Sequence, residues 1–84
     1  MRYEGVETYC IMMQGVKKPR PKTMNRDQLG KLMLIQFGAA TPGAWRRHLE
    51  IMVTLGYLKT AGLAVYEVNW KKLDEDYEKV NAEA

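Results

Sequence analysis

Apolar and polar positions alternate with a helical period between Thr41 and Leu58, in the sequence TPGAWRRHLEIMVTLGYL, and the rest of the chain is organised around this stretch. Apolar side chains recur there at helical spacing, and the opposite side carries two adjacent arginines beside small residues. Thr41 is a typical N-cap, Pro42 suits the first helical position, and Gly56 suits the left-handed residue that follows a helix. The pattern therefore predicts a helix over residues 41–55, with one apolar face and one cationic face.

Two further helical patterns precede this segment. Residues 3–14 carry apolar side chains on one face, at i, i+3, i+4 and i+7. A capping box formed by Asn25 and Gln28 opens the second pattern, which covers residues 25–37. Gly30 within this helix costs ~1 kcal/mol relative to alanine, which predicts that a neighbouring helix crosses closely there.

The connections complete a helix-turn-helix arrangement followed by a hairpin. Gly38 to Ala40 form a short link of small residues between the second and third helices. After the third helix the period changes to 2, which predicts a β-hairpin over residues 57–70 with its turn at Ala61-Gly62. A weaker helical pattern covers residues 72–82. Because a helix this short is unstable alone, it must pack on the domain, pack on a second copy or fray.

The first two helices are joined by a basic loop, residues 15–24, which contains VKKPRPKT. Two prolines flank Arg20, so the backbone there should be extended or polyproline-like. One interpretation is a basic arm that touches phosphates or follows a minor groove. The other is a solvated connector.

Charge is distributed unevenly along the chain. The formal net charge is +3, but the segment from Gln14 to Thr60 holds nine cationic and two acidic side chains, a net charge of +7. The rest of the chain sums to −4, with acidic residues concentrated near the C-terminus. A basic middle between acidic ends favours a surface that faces a polyanion.

Composition narrows the function further. Eighty-four residues form one small domain with a thin core, which a partner subunit would stabilise, so we expect a homodimer. One cysteine, one histidine and no serine leave neither a zinc site nor a hydrolytic constellation, and no glycine-rich phosphate loop occurs. We expect no enzyme, metal or cofactor. No apolar run approaches a membrane span and the N-terminus lacks a signal peptide's basic region, so we expect a cytoplasmic protein, or one of the host cytoplasm if viral.

The segment from Ala44 to Asn69, AWRRHLEIMVTLGYLKTAGLAVYEVN, carries an apolar residue, two cations, a leucine, then Leu-Gly-Tyr-Leu and a strand with a tyrosine. Together with the preceding helices, over residues 3–70, it resembles the winged helix-turn-helix family of DNA-binding proteins. The resemblance implies an α+β, mostly helical fold with a three-helix core, a two-stranded hairpin wing and a short C-terminal helix. Members of this size are often homodimeric transcriptional regulators.

The resemblance also implies that residues 41–55 are a recognition helix, whose N-terminal half lies in the major groove of double-stranded DNA, with the wing tip at Ala61-Gly62. Two features depart from the family pattern. The segment from Leu29 to Ala44 is longer than in compact members, and the short wing has no cation at its tip. The basic loop would then supply the flanking contact.

Roles follow for individual residues under this hypothesis. Arg46 and Arg47 are the groove contacts, one to a guanine and the other to a phosphate. Thr41 and Gly43 sit at the leading end, where a backbone N–H meets a phosphate. Lys59 touches a phosphate at most. The nonspecific electrostatic contributors are Lys17, Lys18, Arg20, Lys22 and Arg26.

Other interpretations remain open from the sequence. The fold could serve as a protein-interaction or oligomerisation module, with Tyr57, Tyr66, Trp70 and the terminal helix as its partner surface. An RNA-binding winged helix differs from the DNA-binding hypothesis only in its substrate. Trp45 and His48 are expected to be structural, because both lie on or beside the apolar face of the third helix.

Overall fold

The computed structural model describes residues 4–83, and the side chains of residues 6–82. The predicted start of the first helix at Tyr3 lies outside this range. The described chain is α+β and mostly helical, as expected, with four helices and a three-stranded antiparallel sheet. The elements in chain order are α1 (Glu4–Gln14), β1 (Thr23–Asn25), α2 (Arg26–Phe37), α3 (Pro42–Leu55), β2 (Leu58–Gly62), β3 (Val65–Val68) and α4 (Trp70–Glu83).

The ends of α2 and α3 lie where local signals place them. Asn25 caps α2 through a capping box in which its side chain accepts from the Gln28 backbone N–H and the Gln28 side chain accepts in return. Thr41 caps α3, and Gly56 ends it in the left-handed conformation at φ 86°. These boundaries confirm the predicted helices 25–37 and 41–55, with Asn25 and Thr41 as cap residues.

The sheet has the strand order β1-β3-β2. The sequence predicted only a two-stranded hairpin, and it placed Thr23 in the loop of residues 15–24. This is wrong, because Thr23 pairs with Glu67 and Asn25 pairs with Val65 in a third strand. A strand of three residues is too short to show an alternating pattern, and β1 is extended because it pairs with β3.

The hairpin turns two residues later than predicted. Gly62 lies in β2 opposite Val65, after a bulge that follows Thr60, and the turn is Leu63-Ala64. Ala64 adopts a positive φ of 55°, a conformation that an alanine rarely takes. Leu58 and Val68 pair across the hairpin, and both are buried. The same register places Leu63 and Ala64 in the turn.

The last helix is longer than predicted and packs on the domain. It begins at Trp70, which the sequence assigned to the hairpin, and the Asn69 side chain accepts from the Lys72 backbone N–H at 3.2 Å. Leu73 is fully buried, and α4 packs against α1. Of the three fates open to this segment, packing on the domain is therefore the one observed. Within residues 4–83, no helix is both long and apolar enough to span a membrane.

A single hydrophobic cluster joins the four helices to the sheet. Two helices approach closely at Gly30 of α2, where an added Cβ would stand 2.7 Å from two ring carbons of Trp45 on α3. The Trp45 indole N–H donates to the Ala39 carbonyl, which holds the ring in place. The predicted close crossing at Gly30 is confirmed, and the missing side chain makes room for the tryptophan.

Candidate functional site

Helix α3 packs on the hydrophobic core with one face and exposes the opposite face to solvent. Leu49 is 2% exposed and Met52 is fully buried, while Trp45 packs against the same cluster. The exposed residues opposite form what we call the outer face of α3, which consists of Gly43, Arg46, Arg47, Glu50 and Thr54. The two faces predicted for residues 41–55 are therefore present.

The cations of the outer face differ in their surroundings. The Arg46 side chain is 81% exposed, and its Nε donates to Glu50 Oε1 at 3.3 Å. Within residues 4–83, Arg47 has no ion pair and is also exposed. Exposed i,i+4 pairs contribute only ~0.3–0.5 kcal/mol, so Arg46 is easily released from Glu50. Both guanidinium groups can therefore turn toward an anionic partner.

The N-terminal end of α3 is slim and open. The Thr41 hydroxyl accepts from the Ala44 backbone N–H at 3.3 Å. A Cβ added at Gly43 would meet nothing within 4 Å, so the space outside this turn is empty of protein. Within the described chain the Gly43 N–H has no partner, and it points out of the positive end of the helix dipole. An anion can approach this end closely.

Behind the outer face, His48 joins α3 to the two preceding helices. Its Nδ1 lies 2.7 Å from the Tyr9 hydroxyl of α1, and its ring stacks on Phe37 of α2 with centroids 4.2 Å apart. Burial, with a smaller contribution from the Arg47 charge, lowers the pKa of His48, and burial raises the pKa of Tyr9. His48 therefore packs as a neutral ring, in keeping with its expected structural role.

Arg20 is held by contacts inside the protein. Its Nη1 donates to both carboxylate oxygens of Asp74, at 2.8 and 3.0 Å, and Nη2 donates to Gln14 at 3.2 Å. The guanidinium also lies over the Trp70 ring, 4.7 Å from its centroid. These contacts engage the charge of Arg20 inside the protein, which leaves it less available than the exposed loop lysines for the phosphate contact that the sequence predicted.

The other loop cations remain exposed, but at the far end of α3 from Thr41. Lys17, Lys18 and Lys22 face solvent. The loop is held by the Trp70 indole N–H, which donates to the Pro21 carbonyl at 2.8 Å, and the adjoining Asn69 backbone contacts Tyr57. Since Tyr57 follows the end of α3, the loop lies toward that end, about one helix length of ~20 Å from the leading turn.

Two more predicted contacts lie on or beside the hairpin. Lys59 is exposed on β2 and lies opposite Glu67 in the register of the hairpin. Arg26 opens α2, and its backbone N–H donates to the Ala64 carbonyl at 2.9 Å. Arg26 therefore lies beside the hairpin tip. It brings a cation to a wing whose own tip residues carry none.

The aromatic surface expected for a protein partner is largely absent. Tyr57 is 1% exposed, and its hydroxyl donates to Asp76 at 2.7 Å, while Tyr66 and Trp70 are partly buried. Burial and the hydrogen bond to Asp76 raise the pKa of Tyr57 well above its ordinary value. Tyr57 is therefore a core residue and does not belong to the partner surface that the sequence offered as an alternative.

Two exposed residues were given no role by sequence reasoning. Glu50 lies in the middle of the cationic outer face, where the helical periodicity had placed it without suggesting a use. Leu63 is 99% exposed at the hairpin tip. Leu63 was missed because the turn was expected at Ala61-Gly62.

Metal-ligand clusters and the single cysteine were the remaining features to locate in the described residues. Residues 4–83 contain no group of three His, Cys, Asp or Glu side chains that could hold a metal ion. Cys10 is buried, and its thiol donates to the Tyr57 hydroxyl at 3.6 Å. Burial raises the pKa of this thiol, which keeps it protonated and unreactive.

Comparison with known proteins identifies no relative: no protein-family model matches the chain, and no curated protein or solved structure shows significant similarity to it.

Proposed function

We propose that the protein binds double-stranded DNA and places the outer face of α3 in the major groove. The observation that carries this proposal is the outer face itself, with two exposed arginines, a leading turn with open space around Gly43, and a buried opposite side. A major groove about 12 Å wide admits one helix presented in this way. As a DNA-binding protein of this size, it would act as a transcriptional regulator.

The order of elements supports a winged helix as the form of this domain. Three helices precede the hairpin, and a short strand between the first two pairs with the hairpin's second strand. In this reading α3 is the recognition helix, and Leu63-Ala64 is the tip of the wing. The sheet holds β3 between β1 and β2, so the wing is a rigid extension of the domain.

The proposed contacts divide by chemistry. Arg47, which is free of an ion pair within residues 4–83, reads a base edge, and Arg46 turns from Glu50 to a base or phosphate. The Gly43 N–H meets a phosphate at the leading turn. Arg26 and Lys59 make backbone contacts beside the wing, and the exposed loop lysines add nonspecific attraction from the far end of α3.

A protein-binding role is the second candidate, and exposed apolar side chains favour it. Ile35 is 84% exposed and its neighbour Leu34 is 47% exposed on α2, while Leu63 is 99% exposed. An apolar interface responds weakly to salt, whereas phosphate contacts release counterions. Salt dependence therefore separates the two candidates.

The test measures binding to a random duplex by fluorescence anisotropy, at 50 and 200 mM salt. With about four phosphate contacts, the affinity should fall on the order of 10²-fold between the two conditions. The double variant Arg46→Ala/Arg47→Ala should bind at least ~10-fold more weakly at low salt, because two cations leave the groove-facing surface.

The matched control is Lys71→Ala/Lys79→Ala, which removes the same charge from exposed positions on α4 and should leave most of the affinity intact. Circular dichroism checks that both variants fold. Full affinity in a folded double-arginine variant would overturn the assignment of α3, and no duplex binding by the native protein would overturn the function. Light scattering of the same samples tests the homodimer that we propose on the grounds of size.

A further inference from the structure

Glu50 lies at the centre of the outer face of α3, between Arg46 and Arg47 in front of it and Thr54 behind it. Its side chain is 68% exposed, and the buried Leu49 and Met52 lie on the opposite side of the helix. A carboxylate at this position repels phosphate. A surface that attracted DNA only through charge would be weakened by it, so its position calls for a different role.

The contacts of Glu50 leave it available for recognition. Its only hydrogen bond within residues 4–83 that involves the carboxylate is the one to Arg46, at 3.3 Å through Oε1. Both side chains are mostly exposed, so water competes for this pair and it opens easily. The second carboxylate oxygen makes no hydrogen bond within residues 4–83.

The surroundings of Glu50 form a shallow, open depression on the helix surface. Glu50, Arg47, Ile51, Thr54 and Leu55 line a shallow depression of about 420 Å³ on the surface of α3. It offers an acceptor in Glu50, donors in Arg47 and apolar surface in Ile51, which is 38% exposed. Acceptor and donors lie side by side because residues at i and i+3 share one helix face.

The edges of base pairs in the major groove offer a partner for each of these groups. Cytosine presents an amino donor, N4, which a glutamate accepts, and guanine presents the acceptors O6 and N7, which an arginine contacts bidentately. Adenine also carries an amino group, but glutamate is repelled by its neighbouring N7 acceptor. Thymine offers only an acceptor and a methyl group.

We propose that Glu50 determines sequence specificity, by accepting a hydrogen bond from the N4 amino group of a cytosine next to the base pair that Arg47 contacts. This inference rests on the proposed DNA binding. Glu50 lowers affinity for DNA in general, because it repels phosphate, and it restores affinity only where a cytosine donor meets it. Glu50 therefore adds a preference for cytosine at one position to a helix that would otherwise attract any duplex through its positive charge.

The experiment selects duplexes from a randomised library with the native protein and with Glu50→Gln, then measures affinities for the selected site and for its single-base variants. The native protein should prefer cytosine at one position by roughly 5- to 100-fold, the range expected for one good base contact. Glu50→Gln should lose that preference, since its amide can donate as well as accept. It should also bind random duplex several-fold more tightly, because a repulsive charge is gone.

Two controls separate base recognition from other effects. Glu75→Gln removes an equal charge from an exposed position on α4, and it should leave the cytosine preference unchanged. Arg46→Ala tests whether Glu50 acts only by holding Arg46. If the cytosine preference persists in Arg46→Ala and disappears on adding Glu50→Gln, Glu50 reads the base directly.

The outcomes distinguish this inference from the function on which it rests. A native protein that binds duplex without a cytosine preference, or a Glu50→Gln variant that keeps the preference, overturns the inference and leaves DNA binding intact. Loss of the preference in Arg46→Ala alone also overturns it, because Glu50 would then be a positioning residue. A native protein that binds no duplex overturns both.

Discussion

At the scale of single residues, Gly30 and Trp45 determine how α2 and α3 cross. The tryptophan ring occupies the space that a side chain at position 30 would need, and the Ala39 carbonyl holds its indole N–H. Glycine lowers the helix propensity of α2 by ~1 kcal/mol relative to alanine. The packing of Trp45 offsets this cost, and it fixes the direction in which α3 presents its outer face.

Replacing Gly30 with alanine should therefore destabilise the protein, although alanine is the better helix former. A Cβ 2.7 Å from the Trp45 ring forces the ring or the helix to move. Overpacking typically costs ~1–3 kcal/mol, so after the gain in propensity we expect a net loss of about 1 kcal/mol or more. Urea unfolding measures this change in the free energy of unfolding. Gly43→Ala is the control, because open space surrounds that position and its stability should stay equal or rise.

The pH dependence of stability should report the environment of His48. The pKa of His48 is lowered from its ordinary value of 6.5, mainly by burial, so the folded protein resists protonation at a pH where the unfolded chain accepts it. The stabilisation is complete above pH 6.5 and is lost as the pH falls below it. The midpoint of urea unfolding should thus be lower at pH 5 than at pH 7.5.

His48→Gln serves as the comparison for this pH effect. Its stability should vary less over the same window, because the titrating group is gone. Asp74 does not interfere, since hydrogen bonds from Arg20 and Gln14 lower its pKa below 3.8 and its own contribution is lost only in stronger acid. Equal pH dependence in the native protein and in His48→Gln would show that His48 does not titrate differently on unfolding.

At the scale of elements, the basic loop is held to α1 and α4 by one of its own cations. Arg20 is 19% exposed and joins Asp74 of α4 to Gln14 of α1, while the face of Trp70 supports its guanidinium. Its Nε is buried without a partner within the described chain. The loop thus has a defined position despite its two prolines, and its remaining cations are displayed from it.

Removing the Arg20 side chain should lower the free energy of unfolding. Arg20→Ala removes the guanidinium that donates to Asp74 and to Gln14, while the Gln14 amide still donates to Asp74 at 3.0 Å. We expect a loss of roughly 1–3 kcal/mol, the range for removing a hydrogen-bond partner. Arg20→Lys should restore only part of the lost free energy of unfolding. A lysine ammonium lacks the planar fork with which the guanidinium contacts both Asp74 and Gln14 and stacks on the Trp70 ring. Thermal unfolding tests both variants. If Lys18→Ala, at an exposed position, lowers the free energy of unfolding as much as Arg20→Ala does, the contacts of Arg20 with Asp74 and Gln14 are not the cause.

At the scale of the whole molecule, α4 completes the hydrophobic core of the described domain. Leu73 is fully buried, and Asp76 and Lys72 of the same helix contact Tyr57, which follows α3. A domain of this size has a stability of roughly 4–13 kcal/mol. One well-buried side chain of α4 is therefore a large share of the total, and α4 should unfold together with the rest.

Leu73→Ala should lower the free energy of unfolding by about 2–5 kcal/mol, the cost of lost burial plus a cavity. Leu34→Ala deletes the same atoms from a side chain that is 47% exposed, and it should cost less than about 1 kcal/mol. Equilibrium unfolding followed by near- and far-ultraviolet circular dichroism should give one coincident transition. Separate transitions would mean that α4 is an independent unit.

The sequence alone determined the features that depend on residues within one or two turns of each other. The capping box of α2, the Thr41 cap and the left-handed Gly56 arise from contacts between neighbours. The amphipathic period of α3 is equally local, which is why its cationic face could be predicted. Gly30 signalled a close crossing, because a glycine in a helix interior needs a packing reason.

Only the tertiary structure decided the features that join distant parts of the chain. Strand β1 exists because it pairs with β3, about forty residues later, and the same pairing helps to set the turn at Leu63-Ala64. Arg20 finds Asp74 across 54 positions. Short segments and single cations carry no local signal for such partners. Their roles are set by which surfaces the packed helices bring together, so the structure removed Arg20 from the candidate site and left Glu50 at its centre.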